Sequence, residues 1–106
     1  MSGMDDCGCP PPPVFEGAIT RELPIINRKG LHARASAKFV QCCEQFDAEV
    51  HVTHCGETVG GTSIMGLLTL AAGIGKSITV AATGAQAQDA VDALATLLAD
   101  RFGEGE

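Results

Sequence analysis

A two-layer α+β domain, with an antiparallel sheet on one side and helices on the other, is the fold this sequence predicts. Three observations lead to it. Apolar residues alternate at period two around Ile19–Ile25, Ala48–Val52 and Ile78–Ala82. They recur at helical spacing in Ala35–Phe46 and Ala87–Phe102. The stretches follow one another as strand, helix, strand, strand, helix, strand, helix, and half-buried alternation belongs to antiparallel sheets covered on one face.

Length and composition bound the reading. The 106 residues, 45% apolar and 19% charged, suit one domain with a modest core. Residues 1–17 read as a disordered tail, because Cys7, Cys9 and the run Pro10 to Pro13 leave little to bury. The folded domain is expected over 18–102, with 103–106 as a frayed end.

The first strand starts from Ala18, with Ile19, Leu23 and Ile25 at alternate positions and Arg21 interrupting them. Pro24 cannot donate to a ladder, so this strand belongs at an edge. Asn27 to Gly30 form a loop leading to His32. The first helix is expected from Ala33 to Phe46, burying Ala35, Phe39, Cys42 and Phe46 and leaving Arg34, Lys38, Gln41 and Gln45 to solvent. In Asp47–Cys55, Ala48, Val50 and Val52 alternate with Glu49, His51 and Thr53. Cys55-Gly56 then turns the chain into a short strand through Glu57, Thr58 and Val59.

Thr62 and Ser63 precede Ile64, Met65, Leu67 and Leu68 and would cap a short second helix, weakened by Gly66. Gly73-Ile74-Gly75-Lys76-Ser77 invites comparison with a nucleotide-binding loop. That motif needs glycine where the chain has Leu70, and a helix afterwards, whereas Ile78, Val80 and Ala82 alternate as a strand. Gly84 opens the last helix, whose stripe is Ala87, Val91, Leu94, Leu98 and Phe102, with Ala90 and Leu97 beside it. Asp89 and Asp92 lie toward its start and Arg101 at its end, as the helix dipole prefers.

Chemistry concentrates in one stretch. The chain carries formal net charge -6, yet Arg28, Lys29, Arg34 and Lys38, four of its seven Lys and Arg residues, surround His32. No carboxylate occurs between Glu22 and Glu44. A local positive field favours an anion, and the unpaired N–H groups of a helix starting after His32 add to it. A ring nitrogen of this histidine is the candidate nucleophile, with Arg34 placed to steady a phosphoryl group. A cap or surface histidine is the plain alternative. His51 and His54 fall three apart on a strand, hence on opposite faces, and are read as structural or solvent-facing.

The segment Gly30-Leu31-His32-Ala33-Arg34-Ala35-Ser36-Ala37-Lys38-Phe39-Val40 resembles the active-site segment of HPr, the histidine-containing phosphocarrier of the bacterial phosphotransferase system. Gly61-Thr62-Ser63-Ile64-Met65-Gly66-Leu67-Leu68-Thr69-Leu70 is similar to that family's second signature, around its regulatory serine. Many members have proline where Ala35 stands; either residue fits a first helical turn.

The resemblance implies an open-faced sandwich of four antiparallel strands under three helices. It further implies a phosphohistidine at His32, formed on Nδ1, with Arg34 stabilising the phosphate and Ser63 as a regulatory phosphoserine. Ala33, Lys38, Ile64, Met65 and Leu68 would form the partner surface. Enzyme I, an EIIA-type protein and a kinase for Ser63 are the implied partners, in a sugar-transport or a nitrogen-regulatory branch. No cofactor, metal, nucleic acid or membrane insertion is expected. The weakly polar run from Ile64 to Ile74 is broken by Gly66, Thr69 and Gly73 and falls short of the roughly 20 residues of a spanning helix. A cytoplasmic monomer, a phosphoryl-transfer intermediate rather than a stand-alone enzyme, is the expectation.

Two other classes stand beside it: a binding module controlled by Ser63 phosphorylation without phosphate relay, and a small metal or redox protein using Cys7, Cys9 and the other thiols. The five cysteines repeat no disulfide-framework spacing, so reduced thiols are expected.

Overall fold

The alternating stretches pair into one sheet. In the computed structural model, which describes residues 16–27, 30–70 and 76–103, β1 (Ile19–Pro24), β2 (Glu49–His54), β3 (Glu57–Gly60) and β4 (Ser77–Thr83) align in the order β1-β4-β2-β3, every neighbour antiparallel. The helices are α1 (Ala33–Glu44), α2 (Ile64–Leu70) and α3 (Ala87–Ala99), followed by a short 3₁₀ turn at Arg101–Gly103. The expectations for the tail to residue 15, for Arg28 and Lys29, for the glycines between 71 and 75, and for the end beyond 103 lie outside the described residues. Lys76 leads directly into β4, so no helix follows the glycine-rich stretch.

Each strand has one face in the core. Leu23, Val50, Val52, Ile78, Val80 and Ala82 pack with Leu31, Ala35, Phe39, Leu67, Val91, Leu94, Leu98 and Phe102 in one cluster. Pro24 pairs with Ser77 at the outer edge, where its missing N–H breaks no further ladder. The β2–β3 hairpin turns through two left-handed residues, Cys55 (φ 52) and Gly56 (φ 88), the conformation that matches strand twist in a two-residue turn.

Three expectations need correction. Helix α1 stops at Glu44 rather than Phe46, because the amides of Gln45 and Phe46 reach back three residues, to the carbonyls of Cys42 and Cys43, and tighten the last turn. Its buried stripe is Ala35, Ser36, Phe39, Val40 and Cys43, so Cys43 is the core cysteine and Cys42 lies half-buried beside it. Burial pushes the Cys43 thiol up to about 12, with Cys42 and Glu44 adding to the effect, and also raises Cys42. Cys42 and Cys43 are free thiols, but Cys55 is disulfide-bonded, against the expectation of reduced thiols throughout.

Helix α3 likewise ends before the apolar stripe does. Arg101 (φ 53) and Phe102 (φ 55) leave the helical conformation, and this left-handed turn swings the Phe102 ring into the core, where it is 1% exposed. At the other end Gly84 (φ 117) is required: a side chain there would meet the Asp47 carbonyl at 2.9 Å. Gln86 locks the two loops together, its amide donating to the Asp47 carbonyl (3.0 Å) and its Oε1 accepting from the Asp47 amide (2.7 Å).

Candidate functional site

The loop between β1 and α1 delivers His32. Asn27 is fully buried and holds that loop, its Nδ2 donating to the Gly30 carbonyl (2.9 Å) while the Gly30 amide donates back to the Asn27 carbonyl (3.2 Å). Gly30 takes φ 65, which suits glycine, and Leu31 anchors the chain in the core at 4% exposure.

His32 is the residue before α1, extended (φ -75, ψ 179), half-buried, and its ring caps none of the helix's amides. The first intrahelical bond runs from the Ser36 amide to the His32 carbonyl (2.8 Å). The amides of Ala33, Arg34 and Ala35 therefore have no partner within the helix. The first turn contains no acid. Backbone donors and the positive end of the dipole thus stand beside the imidazole, an arrangement that accepts a phosphate. Arg34 and Ala33 are exposed in the same turn.

Lys38 departs from its expected place. It is half-buried, and its ammonium donates to the Phe102 carbonyl, where the last turn after α3 leaves acceptors unsatisfied. Ser36 is also fully buried, its hydroxyl donating to the Leu31 carbonyl (3.2 Å) and fixing the entry into α1. Neither Ser36 nor Asn27 was singled out from sequence; the Asn-x-x-Gly spacing was the available signal for Asn27.

Ser63 is exposed at the start of α2, and its Oγ accepts the Gly66 amide at 3.0 Å, as a helix cap does. Two large apolar side chains follow in the open, Ile64 at 40% and Met65 at 73% exposure, with Leu68 half-buried between them and the core residues Leu67 and Leu70. Helix α2 packs on α1 and on β3. Ile26, 37% exposed just ahead of the His32 loop, is a third apolar side chain in the open that the strand pattern did not signal.

The other histidines stand apart, as their spacing requires. His54 has Nδ1 3.1 Å from the Ser77 carbonyl, and His51 on the opposite face has Nε2 3.9 Å from a Glu49 oxygen. Among the described residues no group of three or more His, Cys, Asp or Glu side chains could hold a metal ion, and no helix is long and apolar enough to cross a membrane.

Comparison with known proteins agrees with this geometry. Residues 19–100 match the family model described as "PTS HPr component phosphorylation site". The chain is 49% identical over 88 residues to the phosphocarrier protein HPr of Cupriavidus necator, covering 83% of this chain and 99% of that one. It is 37% identical to the phosphocarrier protein NPr of Shewanella violacea, over 81% of this chain and 97% of the relative. Among solved structures, the HPr of Thermoanaerobacter tengcongensis superposes with a TM-score of 0.78 at 34% identity, over 81% and 97% of the two chains. The four-stranded antiparallel sheet under three helices is the same in kind. The chain therefore belongs to the HPr family and has the role of a phosphotransferase-system phosphocarrier.

Proposed function

We propose that His32 accepts a phosphoryl group from phosphorylated Enzyme I and passes it to an EIIA-type protein. The observation that carries this reading is the position of His32 directly before α1, where its ring caps none of the helix's amides and the first turn is free of acids. As the bond from phosphorus to the donor breaks, a bond to a ring nitrogen forms, Nδ1 by the family resemblance. The exposed equatorial oxygens collect charge that the Ala33–Ala35 amides and Arg34 stabilise. Transfer onward is the same step reversed on a second partner. The protein supplies position and field, and is an intermediate of transfer rather than a stand-alone enzyme.

Ile64, Met65 and Leu68, with Ala33 and Lys38, form the docking surface in this reading. Phosphorylation of Ser63 by a dedicated kinase regulates it: phosphate oxygens replace the hydroxyl as acceptor for the Gly66 amide, and about -1.5 to -2 of charge appears beside an apolar patch. The protein acts as a cytoplasmic monomer, its folded domain taken as 18–102. Similarity to both HPr and NPr proteins fits a sugar-transport and a nitrogen-regulatory branch alike.

The test is incubation with phosphoenolpyruvate and Enzyme I. Acid-labile phosphate on the wild type and none on His32→Ala supports relay; a phosphoserine-only signal with both possible donors present would make the chain a Ser63-controlled binding module instead.

A further inference from the structure

Three polar side chains are buried among the described residues, and two of them, Asn27 and Ser36, stand on either side of His32; the third, Thr53, is on β2. We propose that Ser36 and Asn27 are positioning residues for phosphoryl transfer, which hold the backbone around His32 and so aim its ring. The proposal rests on the reading of His32 as the phosphate acceptor.

Ser36 holds both peptide groups that flank His32. Its hydroxyl donates to the Leu31 carbonyl (3.2 Å), part of the peptide bond leading into His32. Its amide donates to the His32 carbonyl (2.8 Å), part of the peptide bond leading out. The two rotations that set where the His32 Cα–Cβ bond points, φ -75 and ψ 179, are thus fixed from one residue. Asn27 does the same one peptide group earlier, its Nδ2 donating to the Gly30 carbonyl (2.9 Å) and its carbonyl accepting the Gly30 amide (3.2 Å). The successive carbonyls of Gly30, Leu31 and His32 are therefore all held by two residues that are 0% exposed.

Packing alone does not select these residues. Ser36 sits in the buried stripe of α1 among Ala35, Phe39, Val40 and Cys43, where alanine is the better helix former and leaves no hydroxyl to satisfy. A serine hydroxyl bonded back to a carbonyl of the preceding turn adds no helix stability. Transfer to a ring nitrogen, by contrast, is steep in geometry: a displacement of about 1 Å costs roughly a hundredfold in rate. His32 lies outside the helix in extended conformation, so its direction depends on the loop that carries it. Ala35 in the first turn adds no covalent restraint of the kind a proline ring would.

Full burial separates this role from docking. Neither side chain has surface to offer a partner, so removing either should change the rate within the bound complex and not the concentration at which that complex saturates.

Rapid-quench phosphorylation of the full chain by phosphorylated Enzyme I, at varied chain concentration, tests this. Ser36→Ala should lower the maximal rate about tenfold, with KM within about twofold of wild type and far-UV circular dichroism unchanged. Asn27→Leu, of similar size and without the donor, should act in the same direction; if that variant fails to fold, Ser36→Ala decides alone. A second readout needs no Enzyme I: carbon-13 relaxation of the His32 ring should show larger-amplitude motion in Ser36→Ala than in wild type. A wild-type maximal rate in Ser36→Ala, a loss confined to KM, or a ring no more mobile than wild type would overturn the proposal. Absence of phosphate on His32 in the wild type would instead defeat the acceptor reading, and this role with it.

Discussion

Ser63 does two separable things in this account, and substitution there pulls them apart. Its Oγ accepts the Gly66 amide at 3.0 Å, satisfying one of the unpaired donors of a helix only seven residues long. Replacing a serine N-cap by alanine costs about 1 kcal/mol. The site is exposed, so no cavity adds to that figure. Ser63→Ala is therefore expected to lower Tm by about 4–8 °C, the shift that 1 kcal/mol produces in a domain of this size. Aspartate caps as well as serine and its charge suits the dipole, so Ser63→Asp should stay within about 0.5 kcal/mol of wild type. The chain has no Trp or Tyr, which makes far-UV circular dichroism the suitable probe. Phosphate relay should show the opposite order: normal uptake at His32 in Ser63→Ala, slowed transfer in Ser63→Asp. Equal stability of the alanine variant and wild type, or aspartate as destabilising as alanine, would refute the cap.

Other substitutions test neighbouring parts. Gly66→Ala should destabilise despite alanine's better helix propensity, because its Cβ would meet Val59 Cβ at 2.8 Å and Ser63 Oγ at 2.9 Å; a raised Tm in thermal melts would contradict that packing. Met65→Asp, at a site 73% exposed, should slow transfer to partners while leaving Tm within about 2 °C, a typical surface effect; a large fall in Tm would make Met65 core. The Cys43 thiol, pushed up to about 12 by burial, favours its neutral form in the fold. Its contribution to stability is thus complete below the ordinary thiol pKa, about 8.5, and is lost as pH rises from there toward the folded value. Denaturation midpoints should fall above that point in the wild type and fall less in Cys43→Val; parallel profiles would refute the assignment.

Most elements were legible because their patterns are local. Alternation located β1, β2 and β4, and the glycine before a helix start located His32. What escaped depends on distant parts of the chain. Lys38 reads as a solvent-facing helix residue until Phe102, 64 positions later, offers its carbonyl. Periodicity put Phe102 on the buried stripe, but the left-handed turn that carries its ring into the core beyond the end of α3 has no periodic signature. Gly66 reads as a weak point in α2, whereas its closeness to Val59 on β3 is visible only after folding. The antiparallel arrangement under three helices came from family resemblance, and the order β1-β4-β2-β3 only from the fold, because alternation says which face a residue takes and not which strand lies beside it.

The central claim is that a single imidazole at the start of α1 carries the phosphate. Incubating the protein with phosphoenolpyruvate and Enzyme I, then mapping the modification by mass spectrometry before and after mild acid, tests it most directly. The account predicts one acid-labile phosphoryl group on His32, absent in His32→Ala. Phosphate on His51 or His54, or undiminished uptake by the His32 variant, would contradict it.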